Sequence, residues 1–307
     1  MTAPPLAIAA PRRPDALPFL IALFCLIWSS AFAVAKIALV DCPPLLLLSG
    51  RFLLAGVLIL GACAILLPAS HFGRLRPRDV AALAGIGILN NAGYLGLSYI
   101  GMTQVSSGFT AVLVSANPLL TALGAAVLLS ERLSGRKLIG LVLGMAGVAF
   151  VVRSRIVSGH EDPVGVAYVT AALLALTAAT LMFKKVRTPA SLFVGSGIQC
   201  LSGGLALLPV ALAREDIGAV HPTLSLAVAF AWLTLAASVG GFSLWFFILG
   251  RTTATRASAL HFLMPPLGLL FGWLILGEPV PPMDLLGIVP IALGIRLVTT
   301  APEKARR

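Results

Sequence analysis

Apolar residues run along this chain in long unbroken blocks, with neither the strict alternation of a half-buried strand nor the single stripe of a surface helix. A helix that crosses a bilayer needs about 20 mostly apolar residues. Ten blocks reach or approach that length: 18–39, 44–67, 80–99, 107–129, 137–153, 163–183, 191–213, 225–248, 254–276 and 284–300. The stretch Val80–Ser130 carries no charge over 51 residues. As one helix it would extend about 75 Å at ~1.5 Å per residue, far beyond a bilayer. The turn-rich IGMTQVSSG at Ile100–Gly108 divides it, and Gly250–Thr255 divides the eighth span from the ninth. The pattern predicts an all-α membrane protein with ten transmembrane helices.

The blocks also repeat. Pro118, Glu131, Gly140 and Gly147 recur 147 residues later as Pro265, Glu278, Gly287 and Gly294. With an offset of 148, Lys36 meets Lys184, Arg51 meets Gln199 and Gly56 meets Gly204. A fixed internal period marks a duplication. Five spans per copy is an odd number, so the second copy enters the membrane upside down. The expected architecture is two inverted five-helix repeats, 18–153 and 163–300. Inverted repeats build many secondary transporters, with the substrate near the midplane between them.

Composition agrees with a lipid solvent: 59% of residues are hydrophobic, 11% are charged, and mean hydropathy is +1.01. Soluble domains are about 45–50% apolar and about 25% charged. The net charge of +11 would suggest nucleic acid in a soluble protein. Here it is read as the excess of Lys and Arg on the cytoplasmic side of a membrane protein, so no nucleic-acid partner is expected. With the N-terminus placed inside, sixteen of the 22 Lys and Arg fall in cytoplasmic segments and only Arg153, Arg155 and Arg214 in outer ones. A missed helix would reverse every later loop and destroy that bias. Both termini are therefore expected in the cytoplasm, as a flexible segment 1–17 and a basic tail 301–307. Arg12 and Arg13 before an apolar run resemble the opening of a signal peptide, but the run Pro18–Val40 is too long for one and no cleavage is expected. Cys25, Cys42, Cys63 and Cys200 have no metal-ligand spacing and read as small packing residues. No metal or cofactor is expected.

Several stretches taken together resemble the EamA-type family of the drug/metabolite transporter superfamily. They are WSSAFAVAK at Trp28–Lys36, Arg51-Phe52, Pro118 followed by SERLSGRKLIG, and Pro265 followed by LGEPVPPMDLLG. Each is short and apolar; their order, spacing and duplication carry the likeness over roughly 18–300. The resemblance implies a ten-helix carrier of small metabolites, often amino acids, commonly moving them outward. Ser29 stands where the family pattern has glycine.

Polar residues inside the spans are the candidate substrate contacts. Trp28, Phe32 and Lys36 follow i, i+4, i+8 and share a helical face; they line a cavity, or the aromatics pack and Lys36 snorkels. Arg51 sits about seven residues into the second span, roughly 10 Å deep at ~1.5 Å per residue. A charge there usually faces the interior or a watery cavity; the alternative is a structural tie to carbonyls or to Asp41. Lys36 and Arg51 on consecutive spans are expected to face one outer cavity. Asn90, Asn91, Tyr94 and Ser98 lie in the third span, with Asn91, Tyr94 and Ser98 spaced to share an α-helical face. Gln199 is the neutral repeat partner of Arg51. Asn117-Pro118 and Met264-Pro265-Pro266 occupy matching places in spans four and nine, where proline kinks a helix. His261 is the one deep side chain that titrates near neutral pH, a proton-coupling group or simply a hydrogen-bonded core histidine. Glu131 and Glu278 close spans four and nine at opposite mouths, as anchors or gates.

These residues predict an exporter of amino acids or similar small metabolites, working by alternating access in the inner membrane, in contact with lipid and with no enzymatic activity. Two alternatives stand beside it: a lipid or multidrug translocator on the same fold, and a membrane-embedded transferase. The transferase is weakened by short loops without a catalytic cluster, and a cationic-drug site by spans without a deep carboxylate.

Overall fold

The computed structural model describes residues 17–66, 75–131, 133–157, 161–280 and 282–300. Ten helical segments follow in order: α1 Leu17–Asp41, α2 Pro44–Leu66, α3 Pro77–Met102, α4 Ser107–Leu128, α5 Gly135–Val157, α6 Pro163–Lys185, α7 Leu192–Arg214, α8 Leu224–Arg251, α9 at 254–276 and α10 Pro282–Thr299. Seven of them are long and apolar enough to cross a membrane, and shorter apolar helices lie at Pro266–Leu276 and Leu285–Val298. Each segment falls within a few residues of a block read from the sequence, because turn chemistry sets the boundaries. Asp162, Ser191 and Thr223 cap α6, α7 and α8 with side-chain oxygens on the first-turn N–H groups. The expected flexible N-terminal segment lies outside the described residues up to position 16, and the basic tail 301–307 lies wholly outside them.

Large apolar side chains stand outward, among them Ile65, Val127 and Leu224, each more than three-quarters exposed. In water such a surface would be untenable; against lipid tails it carries no penalty. Helix association in lipid then rests on close packing rather than on hydrophobic burial, and small residues allow it. The pairs α2–α7 and α5–α10 pack along their lengths. A Cβ added to Gly140 would lie 2.9 Å from the Gly294 carbonyl oxygen, and one added to Gly147 would lie 2.7 Å from that of Gly287. Between α2 and α7, a Cβ on Gly56 would meet the Leu201 amide at 2.8 Å and one on Gly204 the Leu53 amide at 2.9 Å. Backbones resist such contacts because they have nowhere to move. Gly140→Val should therefore destabilise the protein by about 1–3 kcal/mol, the usual range for overpacking. Thermal unfolding in detergent reads this directly, and an unchanged midpoint would disprove the close contact.

Four of the ten helices are irregular, and they flank the interior. In α3 the segment Ile88–Gly96 is a π-helix, and in α8 the segment Trp232–Gly241 is another. The helix α4 breaks at Ser115-Ala116, between Ser107–Val114 and the Asn117–Leu128 helix that Pro118 opens. In α9 a 3-10 stretch, Ala259–Leu263, precedes the helix Met264–Leu276, with Pro265 and Pro266 in its first turn. Proline fixes φ and lacks an N–H, so the regular ladder cannot run through these points. Interrupted ladders of this kind concentrate at functional sites.

Candidate functional site

Arg51 lies on α2 and is 3% exposed. Its Nε donates to the Ser238 hydroxyl at 2.8 Å and its Nη1 to the Tyr99 hydroxyl at 2.7 Å. Both partners are neutral, and the remaining guanidinium N–H donors have no protein acceptor among the described residues. Asp41, the nearest carboxylate in sequence, instead accepts from the Thr223 hydroxyl at 2.5 Å. Among the described residues Arg51 is thus a buried cation with no carboxylate bound to it.

A cavity of about 20 Å³ adjoins it, lined by Trp28, Phe32, Arg51, Tyr94, Tyr99 and small or aliphatic side chains from α1, α3 and α8. That volume has room for about one water, so an organic solute enters only after the helices part. The Tyr94 hydroxyl is buried with no hydrogen bond of good geometry, its near neighbour being the Trp28 indole. Behind Trp28 the cavity is backed by a cluster of rings. Trp28 lies 5.2 Å from Phe24 and 5.3 Å from Phe242, and Trp245 stacks on Phe24 at 5.5 Å.

The structure brings Trp28, Phe32, Arg51 and Tyr94 together, and distributes the other candidates elsewhere. Lys36, expected in one outer cavity with Arg51, does not line it. Its ammonium donates to the Met102 carbonyl and, at 2.8 Å, to the Val105 carbonyl, which ties α1 to the α3–α4 loop. The reason is geometric: Lys36 lies a turn beyond Phe32, within the last two turns of α1, which carries its ammonium past the aromatic pair to the α3–α4 loop. Asn91 and Tyr94 also separate. The shared face assumed for Asn91, Tyr94 and Ser98 rests on α-helical spacing, whereas a π-helix turns more slowly. Asn91 therefore faces α7, where its Nδ2 donates to the Gln199 carbonyl at 2.9 Å and its Oδ1 accepts from Asn90 at 2.9 Å. The Gln199 side-chain oxygen is buried with no hydrogen-bond partner among the described residues.

Asn117 is fully buried at the α4 break, its Oδ1 accepting from Thr121 at 3.0 Å and from Thr177 at 2.9 Å. His261 is fully buried in the 3-10 stretch of α9, edge-on to Trp245 at 4.9 Å. Tyr99 and Ser238, the two hydroxyls that hold Arg51, escaped the sequence reading. A signal for one existed: Ser238 stands 147 residues after Asn91. The repeat thus makes Gln199 and Asn91 the counterparts of Arg51 and Ser238: the first two meet through the Asn91 amide and the Gln199 backbone carbonyl, the second two through their side chains.

Cys42 lies in the turn between α1 and α2, outside the spans. Burial, and secondarily the Glu215 carboxylate, push its thiol up to about 11. Thiolate is the reactive form, so maleimide labelling of Cys42 should be slow at pH 8. It should climb roughly tenfold per pH unit until about pH 11. Rapid labelling at pH 8 would show that the turn is open.

Ten helices with apolar outer faces around a small, largely aromatic and aliphatic cavity bordered by one buried arginine define a polytopic membrane transporter. Residues 17–153 and 163–300 each match the EamA-like transporter family, and the chain belongs to that family, which comprises transporters and not enzymes. It is similar to a protein of Escherichia coli strain K12 named as an uncharacterized inner membrane transporter, YedA, at 28% identity over 92% of this chain and 91% of the relative. It is also similar to a protein of Salmonella typhimurium strain LT2 named as a probable amino-acid metabolite efflux pump, at 26% identity over 90% and 92% of the two chains. A crystal structure at 18% identity shares the fold with a TM-score of 0.73, covering 94% of this chain and 98% of that one.

Proposed function

We propose that this protein is a secondary carrier that exports small carboxylate-bearing metabolites, amino acids foremost, by alternating access between inverted five-helix repeats, 18–153 and 163–300. The observation that carries the proposal is Arg51, buried beside the cavity and held, among the described residues, by neutral groups: two hydroxyls and the Phe52 ring. A buried charge without a partner is expensive; a substrate carboxylate removes that expense, whereas a cationic solute adds to it. The aromatic faces of Trp28, Phe32, Tyr94 and Tyr99 suit the rest of the substrate, including an ammonium group by cation–π attraction. The name of the Salmonella relative, a probable amino-acid metabolite efflux pump, supports amino acids. The YedA name supports the inner membrane, and the bias of sixteen basic residues against three supports cytoplasmic termini.

Proteoliposome uptake of amino acids and common metabolites, with and without a pH gradient, tests the reading. Carried substrates should share a free carboxylate, and their amides should be carried at least about tenfold less well, the loss expected for one charge-assisted hydrogen bond of ~1.5–3 kcal/mol. Equal transport of amide and acid would sink it.

A further inference from the structure

We propose that Glu131 and Glu278 are the two gates of the transport cycle, each fastening one mouth by holding the start of the other glutamate's helix. The inference rests on the alternating-access reading, but not on which substrate is carried. At one mouth Glu278, just past the end of α9, accepts from the Ser107 N–H at 3.0 Å, the Ser107 hydroxyl at 2.9 Å and the Gly108 N–H at 3.2 Å, all at the start of α4. At the other mouth Glu131, just past the end of α4, accepts from the Ala254 N–H at 2.9 Å and the Thr255 hydroxyl at 2.7 Å, at the start of α9. Ser107 and Ala254, Gly108 and Thr255, and the two glutamates are all 147 residues apart.

The supporting geometry is duplicated as well. The residue before each glutamate is left-handed, Ser130 at φ 54° and Gly277 at φ 66°. Each glutamate N–H turns back, to the Ala125 carbonyl and the Gly272 carbonyl, both at 3.1 Å. A left-handed serine carries backbone strain that glycine avoids, and here it is retained where the chain must swing a carboxylate onto the facing helix. The lysines complete each fastening. Lys36 holds the Val105 carbonyl in the α3–α4 loop, and Lys184 holds the Thr252 carbonyl in the α8–α9 loop. Val105 and Thr252 are again 147 residues apart.

The 22 residues of α4 separate the two mouths by about 33 Å at ~1.5 Å per residue, the thickness of a bilayer core. Both gates are fastened here, which agrees with a cavity too small for any organic solute. Transport then requires that one gate release while the other holds. Releasing a carboxylate leaves backbone N–H groups and a hydroxyl that water at an opening mouth can satisfy, so each gate exchanges protein contacts for hydration. Ser106, at the start of α4, is held as well: its N–H and hydroxyl donate to Glu161 at 2.8 and 2.6 Å, a further carboxylate at the Glu278 mouth.

The test is sided access to a reporter cysteine, Ala237→Cys, in the cavity wall, read with a membrane-impermeant maleimide from each face of oriented vesicles. Reporter-free protein serves as the blank. Glu278→Ala should raise the labelling rate about tenfold or more from the α3–α4 face alone, and Glu131→Ala from the α8–α9 face alone. No change with either variant, or a rise from both faces with each, overturns the proposal. A general loss of packing would give the second result, so sidedness separates a gate from a structural prop.

A disulfide between Gly108→Cys and Leu269→Cys provides an arm that keeps both glutamates, since a Cβ on Gly108 would lie 3.7 Å from the Leu269 Cα. Oxidation should stop transport and reductant should restore it. Undiminished transport by the cross-linked protein also overturns the proposal. Access from faces opposite to those expected from charge would support the gates and refute the membrane orientation, so the two failures are distinguishable.

Discussion

Replacing Arg51 by methionine should cut uptake of carboxylate substrates about 10–100-fold while leaving the unfolding temperature unchanged or higher. The first half follows from a charge-assisted hydrogen bond of ~1.5–3 kcal/mol lost in the bound state, where ~1.4 kcal/mol is a factor of ten. The second half follows from the state of the empty site. Arg51 carries a full charge at 3% exposure, with the Ser238 and Tyr99 hydroxyls and the face of Phe52 as its partners among the described residues. Replacing a whole buried ion pair by apolar side chains is often neutral or stabilising by ~1–4 kcal/mol. Arg51 has no paired charge to strand, so its removal sheds a desolvation cost that offsets the two hydrogen bonds lost at Ser238 and Tyr99. A purely structural Arg51, tying α2 to α3 and α8, gives the opposite pattern of a lower unfolding temperature with transport altered only through it. Uptake in proteoliposomes together with melting in detergent separates the two. Unchanged transport of every carboxylate that the wild type carries would remove Arg51 from the site.

Trp245→Ala should destabilise the protein by about 3–5 kcal/mol, the cost of deleting a large buried ring. Trp245 is 2% exposed and lies between Phe24, stacked at 5.5 Å, and His261, edge-on at 4.9 Å. Its ring joins α1 to the 3-10 stretch of α9, a segment that already lacks a regular hydrogen-bond ladder. Trp245→Phe keeps most of the contact area and should lose about 1–2 kcal/mol, since part of a dense core is vacated but the stacking on Phe24 survives. Unfolding of the solubilised protein measures both. A loss below about 1 kcal/mol for Trp245→Ala would mean that neighbours collapse into the space.

The spans, their breaks and the duplication were legible because membranes impose a long apolar period that few other folds need. The glycines of α5 and α10 were legible for a related reason. Close backbone approach has few chemical solutions, and the sequence repeats this one as Gly140, Gly147, Gly287 and Gly294. The site was legible in part. Buried charge drew attention to Arg51, and aromatic spacing drew it to Trp28 and Phe32. The hydroxyls of Tyr99 and Ser238 did not stand out, since isolated hydroxyls are common in spans and usually bond their own backbone. The π-helices of α3 and α8 left no pattern either. They rotate Asn91 away from Tyr94 by a shift of hydrogen-bond partner that residue type does not encode locally.

By itself, the sequence determined the solvent, the order of ten helical segments, seven of them long and apolar enough to span, and the 147-residue period, since each is a property of residues near one another along the chain. Only the tertiary structure decided which polar groups meet. Lys36 left the cavity for the carbonyls of Met102 and Val105, and Arg51 found hydroxyls on two other helices. Glu131 and Glu278 turned out to hold each other's helices across the whole thickness of the molecule. Those pairings join residues far apart in sequence, and they depend on helix rotation, crossing and irregular turns. A shift of one backbone hydrogen bond in α3 is enough to change which side chain faces the cavity, and the composition of the chain is the same either way.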